Sequence, residues 1–250
     1  MACMSVICVI PARYRSSRFP GKLLVNILGK TLLQRTYESA LRATSLDALY
    51  IATDSEEIKT HAEGFGAKVL WTSQSPLNGT ERIAEAVSRY DELQRAKAIL
   101  NLQGDHPCMP PETIDAVTRA LITHPQASIS TAARPIASSE ELFSPHIVKC
   151  ILDRDDKALY FSRSPIPYHK KEAPVSALAH LGIYCYTPSF LQRLPSFSST
   201  PLQLQEDLEQ LQFLELGFSI QVARVEKGGV SVDVPEDVPF LEKYLCLETV

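Results

Sequence analysis

Four cationic side chains crowd one loop near the start of this chain. They follow an apolar run, residues 6–10, whose length is typical of a buried strand. Because the chain as a whole is acidic, with a formal net charge of −4, the cluster indicates that an anion binds there. Arginine supplies planar paired donors and lysine a mobile point charge, which suits a polyphosphate, whereas the position behind the first strand disfavours a merely solvated basic loop. The four cations are Arg13, Arg15, Arg18 and Lys22.

Acidic residues stand at two other places where strand-like runs end. Asp105 follows the apolar run 98–102 in the sequence QGD, in which Gly104 allows the backbone to turn tightly. Asp233 closes a short apolar run near the other end of the chain, just before a proline and two acids that are typical of a helix start. Mg²⁺ prefers one or two carboxylates together with phosphate oxygens and water. Asp105 and Asp233 are therefore the candidate metal ligands.

Signatures of several other chemistries are absent from the sequence. No G-x-G-x-x-G follows the first strand and no G-x-x-x-x-G-K-[ST] occurs, so phosphate must be held by side chains as well as by backbone. The six cysteines form no C-x-x-C pair, which disfavours zinc. Net charge and the scatter of the other basic residues argue against a nucleic-acid partner. The first apolar run has no basic leader and ends at Pro11, so neither a signal peptide nor membrane insertion is expected.

Strand and helix patterns alternate along the chain and must position these residues. The 250 residues, 45% of them hydrophobic, predict one α/β domain over residues 1–250, with a mainly parallel sheet covered on both sides and residues 138–202 as a candidate lobe or flap. In such a sheet, ligands bind in the loops at the carboxyl ends of the strands. The expected strands are residues 5–10, 48–53, 67–71, 98–102, 127–133, 147–152, 179–186 and 219–225. Apolar helix faces are formed by Leu33, Tyr37, Ala40 and Leu41, by Ile83, Ala86, Val87 and Tyr90, and by Ile114, Val117, Ala120 and Leu121, and a further helix is expected over residues 202–216.

Several longer segments occur in a fixed order along the chain. They are PARYRSSRFPGKLL (11–24), IATD (51–54), NGTER (78–82), ALYFSRSPIP (158–167), HLGIYCY (180–186), LEQL (208–211) and SVDVPEDV (231–238). With them the chain resembles the CMP-Kdo synthetase (3-deoxy-manno-octulosonate cytidylyltransferase) family over residues 9–238. Three positions depart from the family pattern: His106 stands for the glutamate of QGDEP, Arg15 is an added cation, and Asn78 replaces a small residue.

The resemblance implies a fold, an activity and a setting. The fold would be a single Rossmann-like nucleotide-diphospho-sugar transferase domain, with a mainly parallel mixed sheet and a smaller lobe for substrate and dimerisation. The protein would be a cytoplasmic, Mg²⁺-dependent nucleotidyltransferase that forms a homodimer. It would activate Kdo by cytidylyl transfer from CTP, giving CMP-Kdo and pyrophosphate for lipopolysaccharide biosynthesis.

The resemblance also implies roles for individual residues. Arg13, Lys22, Asp105 and Asp233 are the catalytic set, in which the two cations meet the triphosphate and the two aspartates hold metal. CTP is bound by Ala12, Arg13, Lys22, Thr80, Arg82 and Gln103. Kdo is held by Arg163, His180, Tyr184, Glu209 and Gln210.

The residue types alone leave other interpretations open for the Kdo set. His180 lies in a strand-like run, where a sugar contact or a hydrogen-bonded core histidine is favoured over a general base. Arg163 suits a substrate carboxylate, with a structural salt bridge as the alternative. Glu209 and Gln210 fall in the middle of the expected helix 202–216, where ordinary solvent-facing polar residues are the alternative.

Three other functions compete with this interpretation. A cytidylyltransferase for a different keto acid, such as sialic acid, would share the fold and the reaction. A glycosyltransferase could use Asp153 and Asp155 as metal ligands, although Asp153-Arg154-Asp155 is typical of a charged turn after a strand. A nucleotide-binding regulator without catalysis is the non-enzyme alternative, and the presence of Lys22 and both candidate metal ligands speaks against it.

Overall fold

The polypeptide folds around one nine-stranded mixed sheet in a computed structural model that describes residues 5–14, 19–168 and 177–248. Arg15 and Arg18 of the cationic loop lie outside the described residues, as does part of the candidate lobe. The first half contains β1 (Val6–Ala12), a 3-10 turn (Lys22–Leu24), β2 (Asn26–Ile27), β3 (Lys30–Thr31), α1 (Leu32–Ala40), β4 (Ala48–Thr53), α2 (Glu56–Gly64), β5 (Lys68–Trp71), α3 (Gly79–Arg89), α4 (Asp91–Gln94) and β6 (Ala98–Leu102). The second half contains α5 (Pro111–Thr123), β7 (Ile129–Pro135), α6 (Ser139–Phe143), β8 (Lys149–Leu152), β9 (Ala158–Ser162), β10 (Leu178–Tyr186), α7 (Pro188–Arg193), α8 (Pro201–Glu206), α9 (Glu209–Glu215), β11 (Ile220–Arg224) and α10 (Asp237–Glu248).

The strand order of the sheet is β11-β7-β10-β6-β1-β4-β5. Neighbours in β6-β1-β4-β5 and in β11-β7 run parallel, whereas β10 lies antiparallel between β6 and β7. Strand β8 pairs antiparallel with β10 and with β9, so these strands branch from the main sheet. The mainly parallel mixed sheet expected from the sequence is confirmed.

The hydrophobic core lies on both faces of the sheet, and strand β1 contributes side chains to both faces. Its alternate residues enter two different clusters: Cys8 and Ile10 pack on one face of the sheet, and Ile7 and Val9 pack on the other. A strand with both faces covered becomes a continuous apolar run, because successive side chains point to opposite sides. The apolar run that the sequence shows at residues 6–10 is therefore the centre of the sheet.

Two expectations about helices were wrong. Residues 202–216 do not form one helix, because Asp207 takes a left-handed conformation with φ 51° and Leu208 is extended, so that α8 ends and α9 begins anew. Glu209 is consequently the first residue of α9 rather than a mid-helix residue. Leu41 was expected on the buried face of α1, but it follows the last helical residue and is 59% exposed.

The candidate lobe at residues 138–202 stays a prediction, but it cannot be wholly separate from the body. Its span includes β10, which lies in the middle of the main sheet. Within the described part of that span, β8 and β9 lie off the main strand order. Among the described residues, no helix is both long and apolar enough to cross a membrane.

Candidate active site

A cavity of about 320 Å³ opens at the carboxyl ends of β1 and β6, next to the start of α3. This is the edge of the sheet where the sequence predicted a ligand. All of the expected catalytic and nucleotide-binding residues meet there although they come from distant parts of the chain. The expected residues that line it are Ala12, Arg13, Lys22, Thr80, Arg82, Gln103, Asp105, Glu209 and Asp233.

Lys22 and Asp105 form the charged centre of this cavity. The Lys22 ammonium lies 2.6 Å from Oδ2 of Asp105 and also donates to the carbonyl oxygen of Val232. The backbone N–H of Val232 donates in turn to the Asp105 carbonyl oxygen. These bonds bring the C-terminal segment that carries Asp233 to the turn that carries Asp105, which is the meeting that a shared metal ion would require.

The two aspartates fit a magnesium site better than any closed metal cage. Asp105 and Asp233 line one cavity and offer hard carboxylate oxygens. Within the described residues, no three His, Cys, Asp or Glu side chains come together as a metal group. Mg²⁺ usually retains waters and binds phosphate oxygens, so two carboxylates beside a phosphate site are an adequate protein share.

Two residues near these aspartates, Asp237 and His106, make local contacts that differ in kind. Oδ2 of Asp237 accepts from the backbone N–H groups of Asp233 and Val234, which confirms Asp237 as part of the start of α10. His106, the departure from the family glutamate, places Nε2 3.7 Å from Oδ1 of Asp105, and its Nδ1 is buried without a hydrogen-bond partner. The imidazole therefore packs beside the carboxylate and does not line the cavity.

The two arginines of the expected CTP set are placed very differently. Arg13 is exposed, and its Nη1 donates to the carbonyl oxygen of Leu77 at 3.0 Å, which leaves most of the guanidinium open to the cavity. Arg82 is 3% exposed and donates to the Thr72 hydroxyl while pairing with Asp54 at 3.2 Å. Burial lowers the pKa of the Arg82 guanidinium, and Asp54 opposes that shift. The side chain of Arg82 thus braces the loop before α3, and its part in seating cytidine stays a prediction.

A chain of hydrogen bonds runs beneath the cavity from α9 to the end of β6. The Thr80 hydroxyl donates to Oε2 of Glu209 at 2.7 Å, Nδ2 of Asn101 donates to Thr80 at 3.4 Å, and Nε2 of Gln103 donates to Oδ1 of Asn101 at 2.9 Å. Burial raises the pKa of Glu209 to about 7, and the nearby charge of Glu81 raises it further, whereas the bond from Thr80 lowers it. Glu209, which is expected to bind Kdo, is thereby joined by hydrogen bonds to Thr80 and Gln103, which are expected to bind CTP.

Arg163 lies outside the cavity lining, at the junction of α8 and α9. Its guanidinium donates to the carbonyl oxygens of Pro145, Glu206 and Asp207, and its backbone N–H donates to the Glu206 carboxylate. The same carboxylate accepts from the Ser162 hydroxyl at 2.6 Å. The guanidinium also lies 3.9 Å from Oδ2 of the exposed Asp207, so its contacts are mainly hydrogen bonds to backbone carbonyls rather than the salt bridge named as the alternative. Substrate binding by Arg163 stays a prediction.

His180, Tyr184 and Gln210 also do not line the cavity. The His180 ring packs against Phe161 and Tyr184 and shares a 2.9 Å hydrogen bond with the Thr131 hydroxyl. Burial lowers the pKa of His180 to about 3, which leaves the imidazole neutral, and burial raises the pKa of Tyr184 well above its usual value. These contacts agree with a hydrogen-bonded core histidine. Kdo binding by His180, Tyr184 and Gln210 stays a prediction.

The acidic triplet that a glycosyltransferase could use is a turn. Oδ1 of Asp153 accepts from the backbone N–H groups of Asp155 and Lys157, between β8 and β9. An aspartate that organises its own turn in this way is typical of a tight strand connection. The triplet does not line the cavity.

Three supporting residues were not assigned roles from the sequence. Asn101 is fully buried and links Thr80 to Gln103, Asp54 holds Arg82, and Glu206 fixes the junction before Glu209. The sequence signals were that Asp54 ends the segment IATD (51–54) and that Asn101 falls inside the strand-like run 98–102. A polar amide in an otherwise apolar strand could have drawn attention to Asn101, because a buried amide needs partners.

Comparisons with known proteins agree with this geometry. A family model described as cytidylyltransferase matches residues 7–221. A 3-deoxy-manno-octulosonate cytidylyltransferase of Protochlamydia amoebophila is 49% identical over 244 residues, covering 96% of this chain and 94% of the relative, and one of Chlamydia trachomatis serovar A is 45% identical over 241 residues, with the same coverage. The solved structure of CMP:2-keto-3-deoxy-manno-octonic acid synthetase complexed with CTP superposes with a TM-score of 0.92 at 33% identity, covering 98% of this chain and 99% of that one. A cytidylyltransferase of Leptospira borgpetersenii, at 18% identity and a TM-score of 0.64, shares the fold.

Proposed function

This chain belongs to the cytidylyltransferase family, and we propose that it transfers the cytidylyl group of CTP to 3-deoxy-manno-octulosonate (Kdo), giving CMP-Kdo and pyrophosphate. The observation that carries the proposal is the cavity in which Lys22, Asp105 and Asp233 meet beside the uncharged Thr80 and Gln103. A nucleoside triphosphate needs both halves of such a site, because its phosphates require charge and its base requires neutral hydrogen-bonding groups.

The reaction is a substitution at the α-phosphorus of CTP. The anomeric hydroxyl oxygen of Kdo forms the new P–O bond, the bond to the pyrophosphate bridging oxygen breaks in line, and the hydroxyl proton is lost. Such transfers depend mainly on positioning and on neutralisation of charge. Arg13 and Lys22 neutralise the triphosphate in this proposal, and the mobile lysine follows the charge as it moves to pyrophosphate. No nucleophilic side chain is needed.

Asp105 and Asp233 would hold the magnesium ion. When bound, Mg²⁺ polarises the phosphate oxygens and lowers the pKa of the attacking hydroxyl. Lys22 contacts Oδ2 of Asp105, so the ammonium balances that carboxylate and would share it with a bound metal ion. The second cation of the cavity, Arg13, is exposed and available to the phosphates.

Kdo binds beside Glu209 in this proposal. The Glu209 carboxylate lines the nucleotide cavity and accepts from Thr80, which supports a contact with both substrates. Arg163, His180, Tyr184 and Gln210 complete the Kdo set by family resemblance alone. A cytoplasmic homodimer in lipopolysaccharide biosynthesis is likewise proposed from that resemblance.

The test is release of pyrophosphate over CTP, UTP, ATP and GTP, each with Kdo, N-acetylneuraminate or no sugar. CTP with Kdo is expected to give the highest kcat/KM. A tenfold preference for another nucleotide would contradict the proposal, and a preference for N-acetylneuraminate would favour the sialic acid alternative. Failure to release pyrophosphate with every pair, from a folded protein with Mg²⁺ present, would favour the non-catalytic regulator.

A further inference from the structure

We infer that Glu209, acting through Thr80 and Asn101, fixes the orientation of the Gln103 amide and thereby makes the cavity select cytosine over uracil. The inference rests on the proposed function, in which the nucleotide is CTP. It assigns base selection to residues of which one, Asn101, had no role from the sequence.

The direction of every bond in the chain follows from Glu209. A carboxylate can only accept, so the Thr80 hydroxyl must donate its single proton to Oε2 of Glu209, at 2.7 Å. The oxygen of Thr80 is then an acceptor for the amide nitrogen of Asn101. The Asn101 carbonyl oxygen consequently points to Gln103 and accepts from its amide nitrogen at 2.9 Å.

Burial keeps this chain from exchanging its partners with water. Thr80 is 3% exposed and Asn101 is fully buried. The buried Tyr186 hydroxyl also lies beside Thr80 and Asn101, and it can donate to their oxygens without changing the direction of the chain. Reversing one amide would oppose two donors or two acceptors at its neighbour. The orientation of the Gln103 amide is therefore set three hydrogen bonds away, at Glu209.

The result is a neutral acceptor that faces the cavity. With Nε2 of Gln103 used by Asn101, Oε1 of Gln103 remains, and within the described part of the chain no protein donor occupies it. Gly79 makes room for the amide, because a Cβ at that position would lie 2.8 Å from Oε1. The other amide of the lining, Asn78, is already used: it accepts from the backbone of Glu81 and donates to its side chain.

Oε1 of Gln103 suits the edge of cytosine. The exocyclic amino group of cytosine is a donor, whereas uracil presents a carbonyl acceptor at the same position. A uracil at this place would set two acceptors against each other in a site built for a donor, and a polar site rejects a ligand that leaves its groups unmatched. The charged residues of the cavity suit the phosphates and the metal, so the Gln103 amide remains to bind the base.

Protonation of Glu209 would convert a group that can only accept into one that can also donate, so the direction of the hydrogen-bond chain would no longer be fixed. A carboxylic acid can donate to Thr80, after which the chain can reverse and turn the Gln103 amide nitrogen to the cavity. Burial raises the pKa of Glu209 to about 7, so this change falls within the working range of an assay. The titratable and charged groups around Glu209 are Glu81 on α3 and Tyr184 and Tyr186 on β10, and Arg13, Lys22, Arg82, Asp105 and Asp233 line the same cavity.

The experiment measures kcat/KM for CTP and for UTP with Kdo at pH 8, in the wild type and in Thr80→Val, Thr80→Ser and Asn101→Ala. General damage to the site cancels in the CTP/UTP ratio. Thr80→Val and Asn101→Ala are expected to lower the ratio by about tenfold or more, because the Gln103 amide becomes free to turn. Thr80→Ser keeps the hydroxyl and is expected to keep the ratio within about twofold. In the wild type, the ratio should fall as the pH is lowered from 8 to 6.

The outcomes separate this inference from the proposed function. An active wild type whose CTP/UTP ratio is the same in Thr80→Val, Asn101→Ala and Thr80→Ser overturns the inference and leaves the proposed function intact. A wild type that does not turn over CTP with Kdo contradicts the proposed function instead. If a variant is folded but inactive, the ratio of CTP to UTP dissociation constants from calorimetry replaces the kinetic ratio, with the same expected loss and the same contradicting result.

Discussion

The Lys22 ammonium and the Asp105 carboxylate lie 2.6 Å apart, although 83 positions separate them in the chain. The contact joins the loop after β1 to the turn after β6, and the bond from Lys22 to Val232 adds the segment before α10. One lysine thus ties together the three chain segments that supply the charged end of the cavity. Before substrate binds, its charge balances a carboxylate that is expected to hold metal.

Replacement of Lys22 by alanine is expected to lower kcat/KM for CTP by about 100-fold or more. The variant removes an electrostatic contact to charge that develops during the transfer, and contacts of that kind have effects of this size. Initial rates at several CTP concentrations measure the effect. Lys30→Ala is the matched control, because Lys30 forms an ion pair with Glu38 on an exposed surface. Equal, mild losses in both variants would mean that the cationic loop is only a solvated surface.

Asp105→Asn and Asp233→Asn are each expected to reduce turnover severely, and the double variant should lose little more than the worse single. Residues that act through one ion are non-additive, because the first substitution already removes most of the site. Turnover against Mg²⁺ concentration for the wild type, both singles and the double measures this coupling. Multiplicative losses with an unchanged Mg²⁺ dependence would show that the two aspartates do not share an ion. Thermal melts in parallel should show that all four proteins fold.

The unfolding free energy of Glu209→Gln, taken relative to that of the wild type, is expected to be higher at pH 8 than at pH 5. Burial raises the pKa of Glu209 from its usual 4.5 to about 7, so the folded state holds a proton that the unfolded state has released between these values. The unfolding free energy of the wild type therefore falls as the pH rises from 4.5 to 7, by up to about 3 kcal/mol. Glutamine cannot ionise, so this loss should vanish in the variant. Urea unfolding at pH 5, 6, 7 and 8 measures the difference, and parallel pH curves for the two proteins would contradict the assignment.

Glu206→Ala is expected to raise KM for Kdo about fivefold or more while KM for CTP changes by less than about twofold. The Glu206 carboxylate holds Ser162 and the backbone of Arg163, directly before the break that starts α9 at Glu209. The control is Glu215→Ala, because Glu215 also accepts from the α8 backbone but at the far end of α9. Equal effects of the two variants on both KM values would reduce Glu206 to a general support of the fold.

Much of the sheet was predictable because its information is local. The strands at 48–53 and 98–102 were predicted at their observed bounds, since each is an apolar run of strand length with both faces buried. Strand β9 was not predicted from periodicity, because only Ala158, Phe161 and Ser162 are buried in it. Leu159, in the same strand, is 59% exposed. A strand that branches from the sheet and buries one side poorly has too weak an alternation to be recognised.

The sequence by itself determined the residue types that can meet a triphosphate and a hard cation, the order of the motifs, and the alternation that makes a mainly parallel sheet. These depend on side-chain chemistry and on spacing along the chain, which are read directly. Only the tertiary structure decided how Glu209 enters the cavity, through a left-handed Asp207 that no periodicity marks. It also decided that the guanidinium groups of Arg82 and Arg163 donate hydrogen bonds to nearby loops, and that the Thr80 hydroxyl donates to Glu209, 129 positions away in the chain. The physical reason is that a polar side chain binds whichever partner the packed chain brings within about 3 Å of it, and that partner is set by the fold as a whole.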